Sequence, residues 1–203
     1  MALKLPDGIT LFFARHGQTE ANARHQFSGV KDTPLTPLGE AQARDVGAIL
    51  ARTLGHEPAL DFVSSPLQRA KTTMQIVRVA AGLPQLGYRT DPRLIEIDLG
   101  IWDQLTDDEA KALDPALYER RNADKWHVRV PGGENYADVA KRIGSFVADL
   151  ATDTFAVSHG ATTRILRGLF AGLDWKAMSS LDEPQGCVFR ARGGEVVRLD
   201  VRR

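Results

Sequence analysis

Apolar and polar positions alternate along this chain with two periods. Ile9-Thr10-Leu11-Phe12-Phe13-Ala14 is a β-prone run that stops at His16-Gly17, and a polar stretch follows to Pro34. Thr36 as N-cap with Pro37 at the first helical position predicts a helix carrying Val46, Ile49 and Leu50 on one face. Asp61-Phe62-Val63-Ser64 predicts a short buried strand. Ser65-Pro66-Leu67-Gln68 joins a capping-box pattern to a proline at a first helical position, so a helix is expected from there to about Ala81, with Gly82 as its stop. A weak strand is expected around residues 88–90, ahead of Leu94-Ile95-Glu96-Ile97-Asp98-Leu99-Gly100.

Residues 102–131 break the alternation with short helical pieces, the first opened by the capping box Thr106-Asp107-Asp108-Glu109. Asn135 then caps a helix with Val139, Ile143, Phe146, Val147 and Leu150 at helical spacing. Thr154-Phe155-Ala156-Val157-Ser158 reads as a strand that also ends in His-Gly, with a helix at about 161–173 behind it. A terminal hairpin is expected from residues 187–191 and 196–201, joined through Gly193-Gly194. Alternating β and α elements imply an α/β sheet covered on both faces by helices, in which ligands bind beyond the carboxyl ends of the strands. Both His-Gly pairs, His16-Gly17 and His159-Gly160, fall at such ends.

Composition narrows the partners. Lys+Arg and Asp+Glu both total 26 of 203 residues, so no global field draws nucleic acid or a membrane, and any attraction for anions must be local. Cys187 is the only cysteine, which rules out an intrachain disulfide and a thiolate metal cage and fits a reducing compartment. Lys4 and Asp7 interrupt the N-terminus, and no run approaches the ~20 apolar residues that span a bilayer. A cytoplasmic protein is expected; export with removal of a leader stays open. There is no His-x-x-x-His pair and no Walker-type loop. His25, His56 and His127 lie in polar, unpatterned contexts, so no metal and no cofactor is expected.

The segment Arg15-His16-Gly17-Gln18-Thr19-Glu20-Ala21-Asn22 holds the sharpest candidate chemistry. A neutral imidazole with one nitrogen oriented by a hydrogen bond can attack phosphorus, a neighbouring guanidinium neutralises phosphate oxygens, and a glycine lets the backbone approach a ligand. Arg69 sits in a first helical turn, where a cation opposes the helix dipole; either an anion awaits it there or it is a surface arginine paired with an acidic neighbour. His159 follows apolar residues and is either a core histidine bonded to backbone or a second phosphate donor. Glu96 sits in an apolar segment. Burial would raise its pKa and suit a general acid, whereas strand alternation would put it with Asp98 on a wet face.

Several blocks in order carry a resemblance over almost the whole chain. They are Arg15-His16-Gly17 with Thr19 and Asn22; Leu35-Thr36-Pro37-Leu38-Gly39 with Gln42 and Ala43; Ser64-Ser65-Pro66-Leu67-Gln68-Arg69-Ala70 with Thr72 and Thr73; 94–100 with Trp102; Pro131-Gly132-Gly133-Glu134; and Val157-Ser158-His159-Gly160. With them the chain resembles the histidine phosphatase superfamily, also called phosphoglycerate-mutase-like. The resemblance implies a three-layer sandwich: a mixed, mostly parallel sheet with helices on both faces and a small inserted cap, here one domain over residues 1–203 with 101–134 as the cap. It implies His16 as the nucleophile, Arg15, Arg69 and His159 as the phosphate pocket with Asn22 as a further donor, and Glu96 as general acid. Ser28, Gly29 and Gly160 are expected against substrate.

The segment Gly100-Ile101-Trp102-Asp103 and the short span from Glu96 to His159 resemble the broad-specificity phosphatase and ribazole-phosphatase branch. The expected activity is therefore metal-independent hydrolysis of a small phosphorylated metabolite through phosphohistidine. The alternatives are a phosphoglycerate mutase and a non-catalytic module that binds phosphorylated ligands. Arg120-Arg121 is similar to an arginine pair that mutases place on a carboxylate. Consecutive helical side chains diverge by about 100°, so both are read as a solvated helix face. Trp126, His127 and the cap around Tyr118 are expected to line the substrate pocket, on location alone. The terminal strand could pair across a homodimer.

Overall fold

The computed structural model describes residues 3–55 and 60–201; His56 lies outside them. Its element order is β1 (Leu11–Arg15), α1 (Glu20–Ala23), α2 (Pro37–Leu54), β2 (Asp61–Ser64), α3 (Gln68–Ala80), β3 (Arg89–Thr90), α4 (Asp107–Leu113), α5 (Pro115–Ala123), α6 (Tyr136–Ala148), β4 (Thr154–Ser158), α7 (Gly160–Phe170), α8 (Trp175–Ser179), β5 (Val188–Arg192) and β6 (Glu195–Leu199). The sheet order is β3-β2-β4-β1-β5-β6. Its left part, from β3 to β1, is parallel, while β5 and β6 run antiparallel.

Side chains two apart on a strand share a face, so each strand feeds two cores. Leu11, Phe13, Val63, Ala156 and Phe189 meet Val139, Ile143 and Phe146 of α6 and Ile165 and Phe170 of α7. Phe12, Ala14, Phe62, Phe155 and Val157 meet Val46, Ile49 and Leu50 of α2 and Met74 and Val77 of α3 on the other face. The result is the α/β three-layer sandwich expected. A third, smaller cluster of Trp102, Ala110, Leu117 and Val130 lies under α4 and α5, with Phe27 stacked on Trp102 at 5.9 Å.

Local signals explain most element ends. Thr36 caps α2 by accepting from Gly39 N–H at 3.1 Å, and Asn135 and Thr106 form capping boxes on α6 and α4. Gly193 and Gly194 both have positive φ, 57° and 85°, which the tight turn between β5 and β6 requires. One expectation fails. The helix anticipated from Ser65-Pro66 opens two residues later, at Gln68: Ser65 Oγ is shared between His159 Nε2 and Leu67 N–H, and the Asp32 carboxylate accepts from the N–H groups of Gln68 and Arg69. Of the two readings open for Glu96, burial holds: residues 95–99 are irregular chain between two short 3-10 turns, 92–94 and 100–102, and Glu96 is buried rather than on a wet face. Among the described residues, no helix is long and apolar enough to cross a membrane.

Candidate active site

Register brings the two histidines together. β1 and β4 are parallel neighbours with Arg15 opposite Ser158, and His16 N–H extends the ladder to Ser158 O at 2.9 Å. The residues that follow, His16 and His159, therefore leave the same sheet edge side by side, with ring centroids 5.1 Å apart. His16 is 2 % exposed and His159 fully buried.

Hydrogen-bond logic fixes both tautomers. The Gly17 carbonyl, which can only accept, lies 2.7 Å from His16 Nδ1, so Nδ1 carries the proton and Nε2 keeps its lone pair. Arg69 Nε–H points between the rings, 3.2 Å from His16 Nε2 and 3.2 Å from His159 Nδ1. His159 Nδ1 thus accepts, and its Nε2–H donates to Ser65 Oγ at 2.7 Å. Burial, and then the charges of Arg69 and Arg15, hold the His16 imidazole well below its ordinary pKa. Burial and Arg69, with His16, Arg15 and Arg142 behind them, do the same to His159. Both rings are neutral at pH 7, the state a nucleophile needs.

Arg69 is 1 % exposed, and its fork turns away from the rings. It donates to Gly29 O at 2.5 Å, Lys31 O at 2.8 Å, Ser28 O at 3.4 Å and Asp32 Oδ1 at 3.1 Å. The anion at the α3 N-terminus is Asp32 itself, whose carboxylate also accepts from Gln68 N–H and Arg69 N–H. Arg69 therefore brings to the site its charge and one N–H shared by the two imidazoles, not a fork, and ties the loop at 28–32 to those rings.

Glu96 is 6 % exposed. Its carboxyl sits over the N-terminus of α7, accepting from Ala161 N–H and Thr162 N–H at 3.2 Å each and from Ile97 N–H at 2.9 Å. Burial raises its pKa above the usual carboxyl value, the charge of Glu183 adds to that, and the Ile97 N–H, Arg69 and Arg15 oppose. Arg15 donates through Nη1 to the Glu183 carbonyl at 2.7 Å, while its buried Nε has no protein partner among the described residues. Asn22 uses Oδ1 to accept from Thr19 N–H and Gln185 Nε2, which leaves its amide N–H groups for the cavity.

A cavity of about 320 Å³ joins these groups; Arg15, His16, Asn22, Ser28 and Glu96 all line it. Arg69 and His159, expected in the phosphate pocket, do not line it; both lie against the His16 ring. Gly29 and Gly160, expected against substrate, do not line the cavity either. Gly29 serves through its backbone, donating to Asp103 and accepting from Arg69, and Gly160 starts α7 with Glu183 packed on its Cα. Ser28 Oγ is buried there without a partner.

The far wall corrects the reading of the cap. Arg120 is exposed, but Arg121 is 4 % exposed, lines the cavity and lies over the Tyr136 ring at 5.3 Å. It is not on a solvated face. Leu117 is also buried, and residues four apart share a helix face, a spacing that could have pointed to Arg121. Trp126 packs into the core below α6, His127 is exposed on Asp124, and Tyr118 bonds Asp107, so none of these three lines the cavity. The cap around Tyr118 does line it, through Asp107, Arg121, Asn122 and Lys125, and Tyr136, Arg164 and Glu183 join them without having been anticipated. Among the described residues, no group of three or more His, Cys, Asp or Glu side chains is placed to hold a metal ion.

Comparison with known proteins bears on the family. The family model described as histidine phosphatase superfamily (branch 1) matches residues 11–195. A 6-phosphofructo-2-kinase/fructose-2,6-bisphosphatase of Arabidopsis thaliana is 28% identical over 91% of this chain, which spans only 24% of that enzyme's length. A probable phosphoglycerate mutase GpmB of Enterobacter sp. (strain 638) is 32% identical over 81% of this chain and 76% of its own. The alpha-ribazole phosphatase from Shigella flexneri superposes with a TM-score of 0.79 over 95% of this chain and 96% of that one, at 26% identity.

Proposed function

Because the chain belongs to the histidine phosphatase superfamily, we propose that it hydrolyses a small phosphomonoester, without a metal, through a phosphohistidine on His16. One observation carries the reading. His16, a neutral imidazole whose Nδ1 is bonded to the Gly17 carbonyl, lines a cavity that also contains a buried carboxyl with a raised pKa, and the Arg69 Nε–H stands 3.2 Å from its Nε2. In the first step Nε2 attacks phosphorus, the P–O bond to the alcohol breaks, and Glu96 gives its proton to the leaving oxygen. The Gly17 carbonyl stabilises the positive charge that develops on the ring. In the second step the Glu96 carboxylate takes a proton from water, the water oxygen attacks phosphorus, and the N–P bond breaks to restore His16 and release inorganic phosphate.

Arg15 and the Asn22 amide are available to the phosphoryl oxygens, and Arg69 supplies charge behind them, its N–H shared between His16 and the neutral His159 ring. Hydrolysis is favoured over transfer between positions of one substrate by the likeness to the ribazole phosphatase over nearly the full length of both chains. The GpmB relative supports the second reading, a mutase.

The leaving group is assigned a class by charge. Arg121 is buried on the cavity wall and Lys125 half-buried there, and among the described residues neither side chain makes a hydrogen bond or an ion pair. Burial, Arg164 and Arg121 push the Lys125 pKa down, against the opposing charges of Glu183 and Asp107. A phosphomonoester whose alcohol carries a further anionic group satisfies both.

The test is direct. EDTA-treated protein should hydrolyse an aryl phosphate, His16→Ala should fall to background, and acid-sensitive phosphohistidine should be trapped on quenching. Full activity in His16→Ala ends the proposal. Formation of 2-phosphoglycerate from 3-phosphoglycerate without release of phosphate would favour the mutase.

A further inference from the structure

Glu183 places a carboxylate among the cations Arg15, Arg121, Lys125 and Arg164 of the cavity wall. It lies in the connection between α8 and β5, and its backbone carbonyl receives Arg15 Nη1 at 2.7 Å. Its side chain reaches back into the cavity, with Oε1 3.3 Å from Arg164 Nη2 and Oε2 only loosely paired to Arg15 Nη1 at 3.8 Å. The carboxylate rests on the Cα of Gly160: a Cβ added there would fall 2.6 Å from Glu183 Oε2 and 3.3 Å from Arg15 Cζ. Two residues on, Gln185 Nε2 donates to His16 O and to Asn22 Oδ1, so this connection is anchored on the nucleophile's own backbone.

The two ends of the carboxylate are held unequally. Arg164 is fixed by a second bond, Nη1 to Tyr136 OH at 3.0 Å, and keeps its grip on Oε1. Arg15 has an unpartnered Nε and a weak contact with Oε2, and its position beside His16 is where a phosphoryl group must be neutralised. A phosphate dianion on Arg15 and the Glu183 carboxylate compete for one guanidinium.

We propose that Glu183 is a positioning residue that exchanges with phosphate on Arg15. It orients Arg15 and Arg164 at rest, yields Arg15 to the incoming phosphoryl group, and reclaims it as inorganic phosphate leaves. The inference rests on the phosphatase reading above. The exchange weakens the enzyme's hold on its product, because two like charges facing one another across a shared cation repel. It also acts on Glu96. Arg15 from β1, Arg69 from α3, Arg164 of α7 and Glu183 face that carboxyl, while Arg15, Arg164, Lys125 and Tyr136 face Glu183. Of these groups only Glu183 favours protonated Glu96, the form that donates to a leaving oxygen.

The experiment is titration of inorganic phosphate and orthovanadate into the wild-type protein, Glu183→Gln and Glu183→Ala, with steady-state kinetics over pH. Glu183→Gln should bind phosphate roughly tenfold more tightly. Its KM and kcat should fall together as product release slows. Its alkaline limb toward alkyl phosphates should move to lower pH, since Glu96 loses its proton more readily. Glu183→Ala should shift phosphate binding the same way, so either folded variant decides the matter. Phosphate binding no tighter than wild type, or a loss of kcat equal at every pH with KM unchanged, overturns the proposal. Absence of turnover and of phosphohistidine in the wild type would instead sink the phosphatase reading, and the phosphate titrations would still report on the exchange.

Discussion

Replacing Gly17 by alanine tests whether the nucleophile is set by a crossing of two backbones. A Cβ added at Gly17 would fall 2.1 Å from Gly39 O and 2.9 Å from Gly39 Cα, and one added at Gly39 would fall 2.0 Å from Gln18 O. Neither obstacle is a side-chain tip that can swing aside. The segments are tied by Thr36 N–H to Gln18 O at 2.9 Å and by Gln18 N–H to Gln42 Oε1 at 2.8 Å, and Gly17 N–H is held on α3 by Thr73 Oγ1 at 3.1 Å. The loop must therefore retreat by about 1 Å to relieve the contact, and the Gly17 carbonyl that orients His16 Nδ1 retreats with it. Overpacking of this kind costs ~1–3 kcal/mol of stability. A displacement of about 1 Å at a reacting group costs on the order of 100-fold in rate.

Gly17→Ala should thus melt several degrees lower and phosphorylate His16 about 100-fold more slowly in a quenched-flow assay with an aryl phosphate. Gly39→Ala should reproduce both effects from the opposite strand of the crossing. Gly144, inside α6 with nothing within 4 Å of its added Cβ, is the control: Gly144→Ala should gain ~0.5–1 kcal/mol and keep its rate. Gly17→Ala with the wild-type melting temperature and phosphorylation rate would refute the reasoning.

Three further outcomes follow from the site. Glu96→Gln should lower kcat toward alkyl phosphates by about 100-fold or more while aryl phosphates, whose leaving groups need little protonation, lose far less; equal losses would make Glu96 structural. Arg121→Met should raise KM roughly tenfold for phosphomonoesters with a second anionic group and leave phenyl phosphate unaffected; a uniform rise would remove the second anion from the substrate class. His16 and His159 titrate lower in the native chain than when unfolded, so the unfolded state takes up their protons first. The stability they contribute is complete above about pH 6.5 and is lost as pH falls toward the folded values, at up to ~1.4 kcal/mol per pH unit for each ring. Glu96, with its pKa raised, works in the opposite sense, so the comparison is between variants. His159→Asn should show a shallower loss of urea-unfolding free energy below pH 6.5 than wild type, and an identical slope would contradict the sign.

The pattern of short-range chemistry made much of the fold legible. Thr36-Pro37, Thr106 and Asn135 each cap the helix that their neighbours predict, because a cap is a contact among residues three apart. The same rule misplaced the start of α3, where the Ser65 hydroxyl serves His159 and Asp32, distant in sequence, supplies the carboxylate at the helix end. Arg121 was misread for a related reason. Helical divergence correctly separates it from Arg120, but which of the two turns inward depends on where α5 docks.

Alone, the sequence determined which groups could react: an imidazole followed by glycine at two strand ends, arginines of fixed charge, and a glutamate in an apolar run. These are properties of residue type and local spacing. Tertiary structure decided how each one acts, because ionisation and hydrogen bonding depend on what chain folding brings near. Parallel register set His16 beside His159, the loop at 28–32 took the fork of Arg69, the α7 N-terminus received Glu96, and Glu183 was carried into the cavity from the far end of the chain.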